Sequence, residues 1–365
     1  AASITAAQAT RKPPQTLRSM PRLPVTATTA VFASFIVFAA LAGYGWYWSH
    51  VAGRLPVELE RWAEERRAEG FQVSHGGVEV KGFPFWLKVQ IAEIGLAQSA
   101  GPESWSLAAA ELEATARPWN LNAVALVLPR GLSLEAGSAD VRRRLSARAA
   151  GGAGALEFAA AAPWGLRRGA ATFEGIEAAS PALRGPVRAA WLSLEAWHDA
   201  AQRQPTLRLT MAGQDLELPL AEPAPLGRRL TAFTATTALA YPLPWPPHRA
   251  GIAAWRDDGG VVELEQLEAT MGPVDLGLEG TLALDRAMRP LAALKARLRG
   301  WREVVEVLVA TGHLSVFEGA AAKIGLSLMA REGGVLHLPL TAQNGQLSSG
   351  RIRLGRLAPV FPPAE

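Results

Sequence analysis

Apolar and polar residues alternate with a period of two through most of the chain, which predicts β-strands. In the stretch KGFPFWLKVQIA (residues 81–92), Phe85, Leu87, Val89 and Ile91 alternate with Trp86, Lys88, Gln90 and Ala92. Pro84 stands directly before this run and has no N–H to give a ladder, so the strand is expected at an edge, a first position or a bulge. The longest regular alternation runs from Val274 to Asp285: Val274, Leu276, Leu278, Gly280, Leu282 and Leu284 share one face, which predicts one strand, or two with a kink at Gly280. Leu207, Leu209 and Met211 before AGQD, with Leu216, Leu218 and Leu220 after it, predict a hairpin. Asn344-Gly345 between polar-apolar runs predicts another.

A helical period replaces this pattern in a few places. Residues 55–70 carry Pro56 in the first turn, early acids, late Arg66 and Arg67, and a terminal Gly70. Val304, Val305, Leu308 and Val309 predict a helix over 300–312, and a second, less regular one is expected over 314–332. Pro84 before its run, with Pro219 and Pro339 on the polar positions of theirs, points to an extended, bent antiparallel sheet with accessible edges. The expected fold is therefore mainly β with a few helices.

Between Leu23 and Gly53 there is no Asp, Glu, Lys or Arg. Such a stretch is long enough for the roughly 30 Å hydrocarbon layer, so residues 25–48 are expected to form a transmembrane anchor. Arg11, Lys12, Arg18 and Arg22 precede it and Glu58, Glu60, Glu64 and Glu65 follow. The positive-inside rule then puts the N-terminus in the cytoplasm of a bacterial inner membrane, crossed once, and the body in the periplasm. Ala40-Leu41-Ala42 supplies the competing reading of a cleaved signal peptide. The organisation expected is a basic tail (1–24), the anchor (25–48), a β-rich half (49–240), a Pro-rich connector (241–250), a second β-rich half (251–357) with helices near 301–330, and a tail (358–365).

Charge and composition mainly exclude. The formal net charge is +4, and the basic excess is that of the N-terminal segment, so the body has no footprint for nucleic acid. With no cysteine, disulfides and thiolate chemistry are ruled out. The histidines (His50, His75, His198, His248, His313, His337) have no ligand spacing. Asp257-Asp258 before Gly-Gly predicts a hairpin turn, and GGAGALEF (151–158) lacks the spacing of a phosphate cradle. No catalytic motif is present, so neither an enzyme nor a cofactor is expected.

Three segments, RRAEGFQVSHGGVEVKGFPFWLKVQI, ATARPWNLNAV and WRDDGGVVELEQLEATMGPVDLGLEGTLALDRAMRP, resemble alphaproteobacterial envelope proteins grouped as domain of unknown function 2125. The layout of one anchor and a long β-rich body is in turn similar to that of AsmA-like proteins. That resemblance implies an elongated β-groove passing lipids between membranes. The residues expected to line it are Phe83, Phe85, Leu87, Val89 and Ile91 from the opening strand, with Val274, Leu276 and Leu278 from the later one. The partners expected are membrane lipids, with an envelope protein pairing along the sheet edges as the alternative.

Overall fold

The computed structural model describes residues 27–98, 103–138, 144–159, 165–199, 206–220, 224, 226–239, 249–312, 314–330, 334–350 and 352–360. Its helices are α1 (Ala27–Ala68), α2 (Arg249–Asp257), α3 (Trp301–Ala310) and α4 (Val316–Met329). The strands are β1 (Gln72–Ser74), β2 (Val78–Lys81), β3 (Leu87–Gln98), β4 (Glu103–Arg117), β5 (Asn120–Leu128), β6 (Leu132–Ser138), β7 (Leu145–Ala149), β8 (Gly151–Phe158), β9 (Leu166–Ala179), β10 (Val187–Asp199), β11 (Thr206–Glu217), β12 (Arg229–Leu239), β13 (Val262–Met271), β14 (Val274–Leu284), β15 (Pro290–Arg299), β16 (Leu336–Gln343), β17 (Gln346–Ser349) and β18 (Ile352–Arg356). All eighteen strands belong to one sheet.

The chain divides into two compact units between His50 and Val51, and the strands all lie in the second. The expected helix over 55–70 is the end of α1, which closes before Gly70 at φ 93°. α1 also contains most of the expected anchor. Among the described residues, however, no helix is long and apolar enough to cross a membrane. Gly43, Gly45 and the tyrosines and tryptophans from Tyr44 to Trp48 lower its mean hydropathy, and residues 1–26 lie outside the described ones. Arg67 bonds the Val73 carbonyl (3.0 Å) and Glu60 (2.8 Å), and His75 also bonds Glu60 (2.9 Å), tying the end of α1 to β1.

Every ladder is antiparallel, and strands pair with neighbours close in sequence. β1 and β2 both lie against β3, which pairs with β4. The two ends of β4 pair separately, with β5 and with β6. β5 continues into β8, β6 into β7, and both β7 and β8 lie against β9. From β9 to β18 each strand pairs with the next. Among the described residues these ladders end at β18 and at β1 with β2. Of the Pro-rich connector expected over 241–250, residues 241–248 lie outside the described ones and 249–250 begin α2, but β12 and β13 on either side pair directly, so the sheet is continuous past it.

Several local expectations change. AGQD is no hairpin turn: Leu207 to Leu216 lie in the single strand β11, and Asp215 has φ 51°. One left-handed residue breaks the alternation while the pairings with β10 and β12 stay in step on either side of it, and this is why the apolar positions pass from odd (207, 209, 211) to even (216) numbers. Glu93, also at φ 51°, does the same in β3 between Ile91 and Ile94. Asp257 ends α2 rather than a hairpin, because Ile252 and Trp255 bury one face of a helix that sequence alternation did not suggest. Gly280 sits at φ 142° within one unbroken β14, opposite a register shift in β13. Asn344 (φ 53°) and Gly345 (φ 72°) form the expected turn between β16 and β17.

Candidate functional site: the apolar face of the sheet

Side chains paired across an antiparallel ladder point to the same face, so the registers show which residues form one surface. One row starts Leu87, Ala116, Val124, Leu156, Gly169 and Ala196. It continues through Leu209, Thr237, Leu264, Gly280 and Leu294 to Leu340. The neighbouring row runs from Val80 and Val89 through Ala114, Leu126, Gly154 and Ala171. It then passes Leu194, Met211, Ala235, Leu267, Leu278 and Ala296 to Leu338. No charged residue interrupts either row. With neighbouring strands roughly 4.8 Å apart, a row from β3 to β16 is on the order of 50 Å long, measured along the sheet.

A third row shows how the surface is kept smooth. Gly152 pairs with Phe173, and Gly213 with Phe233, in a sequence that continues through Ala269, Leu276 and Leu298 to Leu336. A Cβ on Gly152 would stand 2.9 Å from the Phe173 ring, and one on Gly213 2.6 Å from the Phe233 ring. Each phenylalanine therefore lies over a neighbouring strand where the glycine leaves room. The glycines of GGAGALEF, now in β8, serve this surface rather than a phosphate.

The opposite face is polar. Lys88 is 2.6 Å from Glu113, which also accepts from Gln90 at 2.8 Å; the Lys88 bond, then that of Gln90, holds the Glu113 carboxyl below the usual range. Arg208 bonds Glu265 (2.9 Å), and Lys295 lies 3.4 Å from Glu279.

Helices cover only part of the apolar face. Trp301 and Val305 of α3 with Leu336 form a buried cluster, against which Leu298, Leu338 and, from α4, Ala322 and Leu326 pack. α2 lies at the β14–β15 turn, where Arg256 donates to the Asp285 and Arg286 carbonyls (3.4 and 3.3 Å). Further along, an open cavity of about 540 Å³ is lined by Leu156, Leu194, Ala196, Leu209, Met211 and Ala235 among others. Leu194 and Met211 are 41% and 39% exposed on its floor.

The expected lining residues divide into three groups. Leu87, Val89 and Ile91 share the face with Leu276 and Leu278, and the registers join the two sets into one surface. Leu87 and Ile91 are 1% and 5% exposed, so they sit beneath it rather than on it, and Val274 is also buried. Phe83 and Phe85 do not belong to the strand. They sit in the β2–β3 turn, closed by the Trp86 N–H to Gly82 carbonyl bond (2.9 Å), with a cis Phe83–Pro84 peptide. Pro84 is thus a turn residue, and the alternation through Phe85 is accidental.

The middle of the surface, Phe173, Leu194, Met211 and Phe233, was not expected as lining, although Leu192, Leu194 and Ala196 alternate visibly and Met211 belongs to an alternating run. Among the described residues no His, Asp and Glu cluster could hold a metal ion. A family model described as "Uncharacterized protein conserved in bacteria", domain of unknown function 2125, matches residues 48–358. No curated protein and no solved structure matches the chain.

Proposed function

We propose, for a chain that belongs to the domain of unknown function 2125 family, a role in binding or passing lipid acyl chains along the apolar face of its sheet as part of envelope maintenance. One observation carries this reading: uncharged rows run from β3 to β16, and their middle is exposed at Leu194 and Met211. Hydrocarbon tails need no directed partners. Burial contributes about 25 cal/mol per Å² of apolar surface, so a tail gains along the exposed middle of the rows with little selectivity. A charged substrate would find no counter-charge there, which disfavours an enzymatic reading.

In this proposal the protein is anchored in the bacterial inner membrane by the first part of α1, with its N-terminus in the cytoplasm and its body in the periplasm. Support comes from Phe32, Phe35, Phe38, Leu41 and Trp46, all at least 65% exposed on α1, and from basic residues before the segment and acids after it.

The test is to isolate residues 51–365 without detergent and analyse the organic extract by mass spectrometry. Phospholipid or another amphiphile in at least equimolar amount is expected, and a lipid-free extract overturns the reading.

A second reading rests on a different feature. β18 is an edge strand with every residue exposed, Ile352 at 66% and Leu354 at 53%, and such an edge can accept a strand from an envelope protein. In that case a Leu354→Pro variant would lose a co-purifying protein while its lipid content stayed the same.

A further inference from the structure

α4 is apolar on two opposite stripes. On the first, Ala322, Leu326 and Ala330 pack against the cluster of Trp301, Val305 and Leu336, and Gly319 is buried beside them. The second consists of Phe317, Ala321, Ile324 and Leu328, whose spacing puts them on one side of a helix. Phe317, Ile324 and Leu328 are 83%, 66% and 84% exposed, and Val316 and Met329 flank them at 79% and 58%. A helix lying on a protein in water normally turns its polar side outward. α4 has only Glu318, Lys323 and Ser327 for that purpose, and all three are engaged within the protein, Ser327 by donating to the Ile324 carbonyl (2.8 Å). Glu318 closes a capping box with Ser315 (2.8 Å), and Lys323 reaches Glu306 (2.7 Å).

We propose that this outer stripe is a membrane-contacting face, lying in the interfacial layer of a lipid bilayer. Its size decides between lipid and a second copy of the chain. A 14-residue helix is about 21 Å long, and a stripe of that length and roughly 10 Å wide offers some 200 Å². A stable protein interface needs about 800 Å² on each partner, so the stripe alone is far too small. A bilayer requires no matching surface and accepts each apolar side chain separately.

Two properties follow. The stripe has no Lys or Arg, so its attachment is independent of anionic lipid and of salt. Leu298 and Leu338, which pack against the same buried cluster as the inner stripe, belong to the apolar rows, so the contact lies beside one end of the proposed lipid path. The inference itself does not require that path to be occupied.

The test uses the full chain, which contains no cysteine. A polarity-sensitive fluorophore is attached to L328C in one sample and to K295C, on the polar face of the sheet, in another. Each is mixed with phosphatidylcholine vesicles, with and without lipids that carry a quencher in their tails. The label at 328 is expected to shift to the blue and be quenched, equally in low and high salt, while the label at 295 does neither. Adding F317S and I324S should abolish the response at 328. Because these side chains are exposed, the far-ultraviolet dichroism should be unchanged.

Two results overturn the proposal. One is a label at 328 that stays in water while the chain floats with the vesicles. The other is a blue shift that needs no vesicles and grows with protein concentration, which identifies a second copy as the partner. A lipid-free extract together with a quenched label at 328 would remove the proposed lipid path and leave this contact standing.

Discussion

At φ 142°, Gly280 holds a backbone conformation closed to other residues, and a Cβ there would collide with the Ala293 carbonyl oxygen on β15. Gly280→Ala is therefore expected to cost about 1–3 kcal/mol, read as a lower urea midpoint with an unchanged slope. Asp285 gives a second test at this scale. Burial, the largest single influence, pushes its carboxyl up, but the backbone and side-chain bonds from Arg289 and the Ala287 N–H together outweigh it and leave the pKa lowered. A carboxylate whose folded pKa is lowered adds stability above its unfolded value near 3.9, and that stability disappears as pH falls through the folded value. Asp285→Asn should be less stable than the parent at pH 7, and the gap should close below pH 3.9. Urea midpoints measured across that range check it; a gap that stays constant counts against the assignment.

Among elements, period-two alternation made β3, β14 and the β16–β17 turn readable, and helical spacing located α3 and α4. What escaped notice depends on single residues in unusual conformations. Asp215 in the left-handed region makes one strand look like two, because the alternation resumes out of phase and the intervening AGQD resembles a turn. α2 escaped because its few apolar residues, Ile252 and Trp255, are visible only as a pair against the sheet. The candidate surface was readable at its two ends, Leu87 to Ile91 and Leu276 to Leu278. Its middle depends on register, which no local pattern contains: Leu194 faces the same way as Met211 only because β10 and β11 pair as they do. The glycine-phenylalanine pairs offer a test. Gly213→Val would push the Phe233 ring off its strand and into the open surface, so bound amphiphile should fall while the far-ultraviolet dichroism stays the same. Extracts compared by mass spectrometry read the loss.

For the molecule as a whole, the ladders predict uneven stability. Strands touch mainly their immediate neighbours, as in repeat arrays, so no single core enforces one opening energy throughout. β18 is exposed along its length and β17 is short, whereas β10, β11 and β12 are long and paired on both sides. Amide exchange should therefore be fastest in β17 and β18 and slowest in β10 to β12. Hydrogen-exchange mass spectrometry would reveal this gradient, and uniform protection would contradict it.

The order of the ladders also bears on how the protein is made. A polypeptide emerging N-terminus first, from a ribosome or through a translocation pore, delivers nearly every strand next to one already in place. Each arrival finds a waiting row of backbone groups and offers a new one to its successor. Apart from the fork between β4 and β9, growth by accretion advances along a single edge, and that edge is covered as soon as the next few dozen residues appear.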